Sequence, residues 1–269
     1  VQVYTNDNNH DVLQDITVSL NSFDLEKVMS VIPYTPDMSG VMNGDFHVIQ
    51  TKTDVSISSA ISIKNLSYEK SLMGNVSTEF VYTPRTDGSH AIDGFLYSDG
   101  REVGTLSGIY DTKSGGLLNA KLGLNHIPLS MVNGFIPDHL IGFKGYAEGE
   151  IDVKGTMSRP QVNGEVLLDS AFMVSEAYGI ELRFDDDPVR IVNSHLLFEN
   201  FNMYAHNDSP LTTYGELDFS NTERMILDLR MRAANYLLID AKESTRSEAF
   251  GKAFVNFFGR MRGPLDNLS

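Results

Sequence analysis

Residues 54–63 read DVSISSAISI, and one register of this run holds Val55, Ile57, Ile61 and Ile63 with the small Ser59 between them. The other register is nearly all serine. A period of two marks a strand with one buried face. The same pattern recurs outward along the chain. DITVSL (15–20) places Ile16, Val18 and Leu20 on one side, and EIDVKG (150–155) places Ile151 and Val153 there. QVNGEVLLD (161–169) offers Val162, Val166 and Leu168, and MILDLRMR (225–232) offers Met225, Leu227, Leu229 and Met231. Turn-forming clusters punctuate these runs: RTDGSH (85–90), SDGRE (98–102), TKSGG (112–116), RPQVNG (159–164), DDDP (185–188) and HNDSP (206–210). The expectation is an all-β protein of about seventeen strands, each roughly five to nine residues long, joined as antiparallel meanders.

Helical spacing is scarce, and its main instance occurs twice. LNSFDLEKVMSVIP (20–33) is echoed by LNHIPLSMVNGFIP (124–137), so that Leu20, Asn21, Leu25, Val28, Ile32 and Pro33 meet Leu124, Asn125, Leu129, Val132, Ile136 and Pro137. Both phrases predict a short helix closed by a proline. A further short helix is expected in STRSEAFGKAF (244–254), weakened by its glycine. The echo continues in GVMNGDFHV from Gly40 and GYAEGEIDV from Gly145. Their Gly-x-x-x-Gly pairs, Gly40/Gly44 and Gly145/Gly149, open strands and lack the third glycine of a nucleotide fingerprint. They are read as turns or close backbone approaches. A weaker third copy begins near Leu229. The chain is therefore read as one stretch of a longer β-repeat region, with units at about 20–123, 124–228 and a partial 229–269.

Composition excludes several classes of partner. The chain carries 21 Lys and Arg against 36 Asp and Glu, a formal charge of −15 with no basic run. Nucleic acid and anionic membrane surfaces are therefore unfavourable contacts. There is no cysteine, hence no disulfide or thiolate site. No run approaches the roughly 18 apolar residues of a spanning helix. The start lacks an initiator Met and a signal pattern, and the chain reads as a fragment whose anchor or signal lies elsewhere.

Motifs for catalysis are missing. GTLSG at Gly104 places its serine one position too late for a nucleophile elbow, and neither a phosphate loop nor His-Glu-x-x-His occurs. Asp185, Asp186 and Asp187 could ligate calcium, but three consecutive aspartates before a proline read better as a solvated turn. The seven histidines, His10, His47, His90, His126, His139, His195 and His206, are scattered without ligand spacing. Phe198, Phe201 and Tyr204 read as sheet packing.

The string GYAEGEIDVKGTMSRPQVNGEVLLDSAFMV (145–174) resembles the repeating signature of the TamB (translocation and assembly module) and broader AsmA-like family. That signature runs Gly-x-x-x-Gly, an alternating strand, Gly-Thr, a polar step with Pro, and a second alternating strand. IPLSMVNGFIPDHLIGFKG (127–145) resembles its helical lead-in, and AFGKAFVNFFGRMRGPLDN (249–267) its C-terminal region. The likeness covers most of residues 120–269 and, through the internal repeat, 20–66, whereas 67–119 follows only the general strand pattern. It implies an elongated β-ribbon curled into a taco-like trough with an apolar interior. Such a protein is anchored in the inner membrane, lies in the periplasm of Gram-negative bacteria and serves outer-membrane biogenesis without a cofactor. The implied ligand is a phospholipid or other acyl chain; an outer-membrane barrel partner is implied through regions beyond this stretch.

The candidate trough lining is Ile57, Ile61, Ile63, Ile151, Val153, Val162, Val166, Leu168, Leu227 and Leu229. Alternation fixes which side of each strand is apolar and leaves open what covers it. Three readings stand: a trough holding lipid or client segments, a closed β-spacer, and a carbohydrate-active β-solenoid. The last is weakest, for want of Trp and of paired carboxylates.

Overall fold

The computed structural model describes residues 1–5, 12–33, 35–113, 115–136, 141–156, 159–175, 180–221, 224–241 and 251–264. These form a single sheet of sixteen strands in an antiparallel meander. The first eight are β1 (Gln2–Thr5), β2 (Val12–Asp24), β3 (Met38–Thr51), β4 (Val55–Tyr68), β5 (Ser71–Pro84), β6 (Ser89–Ser98), β7 (Arg101–Asp111) and β8 (Leu117–Pro128). The rest are β9 (Gly142–Thr156), β10 (Arg159–Ser175), β11 (Ile180–Phe184), β12 (Val189–Val192), β13 (His195–Tyr204), β14 (Leu211–Asp218), β15 (Ile226–Ala241) and β16 (Gly251–Pro264). Neighbours in sequence are neighbours in the sheet, except that β11 and β12 share the space between β10 and β13. No helix among the described residues is long and apolar enough to cross a membrane.

Directly paired residues of antiparallel strands share a face, so the register can be followed across the sheet. One row runs Leu20, Gly44, Ile61, Thr78, Leu96, Gly104, Leu124, Gly149, Val166, Val189. The adjacent row, on the opposite face, runs Ser19, Asp45, Ala60, Glu79, Phe95, Thr105, Gly123, Glu150, Glu165, Arg190, Leu197, Glu216, Asp228, Arg262. The first is apolar or small throughout, and the second is mostly polar or charged. The sheet thus has two chemically different faces.

Sixteen strands are found where about seventeen are expected, and several are longer than expected, up to 17 residues in β10. Bulges are the reason. Ser22, Asn65, His126, Ser170, Asn200 and Asn235 have φ between 48° and 59°, and each lies within a register shift. An extra left-handed residue kinks a strand without ending it, so a break in alternation is not a strand end. The displaced backbone N–H of Ser22, Asn65 and Asn235 donates to Oδ1 of Asn43 (2.8 Å), Asn75 (3.1 Å) and Asn256 (2.7 Å) on the adjoining strand. Ser22 and His126 are equivalent places in the echoed phrase, and Asn65 and Ser170 are equivalent places on β4 and β10. RPQVNG likewise proves to be strand: Pro160 pairs with Gly155 at the start of β10.

The two phrases do fold alike. Leu25–Met29 is a one-turn helix, α1, between β2 and β3, and Leu129–Phe135 is a 3-10 helix, η1, between β8 and β9. Asp24 caps α1 by accepting from the Lys27 N–H at 3.3 Å. Leu25 and Met131 pack together with Leu66 and Val76, flanked by Phe23, Met42, Ile63, Leu96 and Ile127, so both helices lie on the apolar face. A second cluster joins Ala171, Phe184, Val189 and Phe201, and a third Leu182, Ala233 and Tyr236. The expected helix at 244–254 falls mostly outside the described residues, and its last four, from Gly251, are strand.

At this end the sheet bends. Asn133 Oδ1 accepts from the Phe143 N–H at 2.7 Å, and its Nδ2 donates to the Phe143 carbonyl at 3.0 Å. The next residue, Gly134, lies against Tyr68; a Cβ there would sit 2.7 Å from the Tyr68 carbonyl oxygen. Phe143 of β9 and Tyr68 of β4 are thus at most about 15 Å apart through two residues of η1. Five strand spacings laid flat would separate them by about 24 Å. The strands converge on the side that η1 occupies.

Gly44 and Gly149, equivalent in the two phrases, hold φ of +143° and +156°. A Cβ would stand 2.7 Å from the Ile61 Cα at the first and 3.1 Å from the Val166 Cα at the second. Substituting Gly149→Ala is expected to destabilise the fold by about 1–3 kcal/mol. Leu25→Ala, at a side chain 2 % exposed, is expected to cost about 2–5 kcal/mol. Urea unfolding followed by far-UV circular dichroism checks both.

Candidate functional site

All ten candidate lining residues fall on one face. Ile57, Val153 and Val162 belong to a row that runs Ile16, Val48, Ile57, Tyr82, Ile92, Gly108, Ala120, Val153, Val162. Ile61 and Val166 belong to the apolar row already traced. Ile151 and Leu227 share the row Ile151, Gly164, Ile191, Leu196, Leu217, Leu227. Leu229 is reached from Phe198 through Gly215. Ile63 packs against the cluster under α1 and η1, and Leu168 against the Phe184 cluster.

None of the ten is fully buried. Ile57 is 36 % exposed, and the other nine are half-buried. A closed sheet-on-sheet core would bury such residues in the middle strands. The total surface agrees: 17014 Å² is exposed, against about 11,700 Å² for a compact monomer of this mass.

The part of this face that sequence reading missed lies in β5–β8. An open cleft of about 400 Å³ is lined there by Phe80, Leu96, Leu106, Leu122, Leu124 and Ile127. Gly94 and Gly104 form its floor, where their missing side chains leave room. Those glycines also interrupt the aliphatic alternation that would have marked the strands. Polar groups on this face are few. His90 stacks on Tyr82 with ring centroids 4.9 Å apart, and its buried Nδ1 has no hydrogen-bond partner among the described residues. Tyr236, 3 % exposed, has a hydroxyl without a hydrogen-bond partner among the described residues, and burial pushes its pKa up to about 12.

The other face is occupied by its own ion pairs. Arg190 donates to Glu199 through Nε (2.8 Å) and Nη2 (2.6 Å), and Arg260 to Asp228 through Nε (2.9 Å) and Nη2 (2.6 Å). The hydrogen bond from Arg260 holds Asp228 below the usual carboxylate pKa. These two paired carboxylates border a hollow of about 590 Å³ together with Tyr214, Glu216 and Arg230. His47 contacts Asp15 at 2.7 Å, His126 contacts Glu148 at 3.1 Å, and His195 lies 3.3 Å from Glu216. His10 and His139 lie outside the described residues.

The three aspartates form a turn between β11 and β12, where Asp185 accepts from Asn202 Nδ2 at 2.9 Å. Among the described residues no group of His, Asp and Glu is arranged to hold a metal ion. No family model, no curated protein and no solved structure matches this chain.

Proposed function

We propose that this chain is a non-catalytic length of β-trough that shields lipid acyl chains between the inner and outer membranes, as its resemblance to the TamB/AsmA-like family implies. The observation that carries the reading is the continuous apolar face, uncovered over most of its length. A sheet that keeps Ile57, Ile151 and Val166 half-open to solvent has a standing hydrophobic demand, and an acyl chain meets it without directional chemistry. Each methylene removed from water contributes about 0.8 kcal/mol. Similar aliphatic rows from β2 to β15 offer similar contact along the sheet, which favours entry without one deep trap.

The convergence of β4 and β9 supports a curled sheet with the apolar face inward and the charges outward. On this reading the setting is the periplasm, and the purpose is outer-membrane biogenesis. Assistance to outer-membrane protein assembly uses the same face for an apolar polypeptide segment. A closed spacer fits less well with the large exposed surface.

The test is mass spectrometry of phospholipid retained after mixing with liposomes and gel filtration, beside an Ile57→Asp plus Val166→Asp variant. The parent is expected to retain phospholipid. The folded variant is expected to lose at least about tenfold in retention, since displacing only two methylenes already costs roughly that factor. A folded parent that retains none overturns the reading in favour of the closed spacer.

A further inference from the structure

One strip of the apolar face differs from the rest at both ends. Along β6 the inward residues run Leu96, Gly94, Ile92, His90, and their partners on β7 run Gly104, Leu106, Gly108, Tyr110. At the inner end Leu96 and Ile127 pack against the cluster of Leu25, Leu66, Val76 and Met131, so α1 and η1 close the strip. At the outer end stand Tyr82, His90 and Tyr110. His90 pairs directly with Tyr110 and stacks on Tyr82. Between the two ends lies the cleft floored by Gly94 and Gly104. A Cβ at Gly94 would come no nearer than 3.5 Å to a neighbour, so the glycine leaves usable space and is not demanded by crowding.

The strip therefore holds an apolar cleft shut at one end by the α1–η1 cluster, and the same strands carry it past Ile92 and Gly108 to the polar side chains beyond the cleft's other end. Six residues separate Leu96 from His90, about 20 Å of strand. One acyl chain spans about 15 Å, half of a bilayer's hydrocarbon core. An imidazole nitrogen buried without a partner is costly unless something completes it. The two phenols beside it are further hydrogen-bonding groups, and burial raises the Tyr82 pKa, which keeps its hydroxyl a donor.

We infer that this strip is a phospholipid subsite, with one acyl chain lying lengthwise in the β5–β8 cleft, its methyl end against the α1–η1 cluster and its ester and phosphate end at Tyr82, His90 and Tyr110. The inference rests on the acyl-shielding reading and adds to it an orientation and a polar contact. A chain lying across the strands would leave His90 uncompleted and would cross the steps between the glycine floor and the flanking leucines. The lengthwise chain meets Phe80, Leu106 and Leu122 along its side.

The chain has no tryptophan, so one introduced indole is a sole reporter. Leu118→Trp and Leu124→Trp place it on the inward face of β8, at the polar and closed ends of the strip. Each variant is mixed with phosphatidylcholine bearing a nitroxide near either the carboxyl or the methyl end of one acyl chain. The expected result is opposite preference: the carboxyl-end label quenches Leu118→Trp more strongly, and the methyl-end label quenches Leu124→Trp more strongly. His90→Phe, which keeps the stack on Tyr82 and removes the nitrogen, is expected to lower phospholipid retention severalfold while leaving the strand signature in circular dichroism intact.

Equal label preference at both positions overturns the lengthwise placement and leaves acyl shielding standing. Retention by folded His90→Phe equal to the parent overturns the polar contact. Absence of quenching in both folded reporters overturns the acyl-shielding reading itself.

Discussion

The structure depends on phase. A ladder of backbone hydrogen bonds joins β1 to β16, and paired residues must share a face. A slip of one residue in one strand would turn its aliphatic side chains onto the charged face and its carboxylates onto the apolar one. The bulges preserve the phase where the sequence breaks its alternation. On β2 the inward residues are Leu20 and Phe23, an odd spacing, and left-handed Ser22 between them absorbs the extra residue. His126 does the same between Leu124 and Ile127 on β8. Because Asn43, Asn75 and Asn256 accept the displaced N–H groups, the irregularity leaves those donors satisfied.

The same phase produces the unusual division of the molecule. Charge is concentrated on one face and aliphatic surface on the other, and the buried clusters are modest because, among the described residues, only short helices cover the apolar side. Stability must come largely from the ladder and from the contacts around Leu25, Met131, Phe184 and Tyr236. The remaining aliphatic residues stay half-exposed. An ordinary globular fold would close over them, and this one leaves 17014 Å² of surface in solvent instead.

Much of this was legible in the residues. DVSISSAISI, EIDVKG and QVNGEVLLD give strands whose inward residues all reach the same face. The repeated phrase gives a short helix at both expected places. The second is 3-10, with Asn133 bound to Phe143 and Gly134 pressed on Tyr68, contacts that no local pattern discloses. The bulges were illegible because a change of parity looks like a strand end. The β5–β8 cleft was illegible because Gly94 and Gly104 hold inward places without an aliphatic signal. Pro160 misled as a turn marker, since a proline is tolerated where a strand begins.

The bulges also bear on mechanics. They fall within a few residues of one line across the sheet: Leu20–Phe23 faces Met42–Gly44, which face Ile61–Ile63, where the next bulge begins. Kinks so aligned act as a crease. The long strands β2 to β5, β9, β10 and β15 are hydrogen-bonded to a neighbour on both sides of that crease, so none of them can swing open alone without breaking ladder bonds. The curvature of the sheet is then a collective property of many strands, and a disturbance at one place spreads into a gradual change along it.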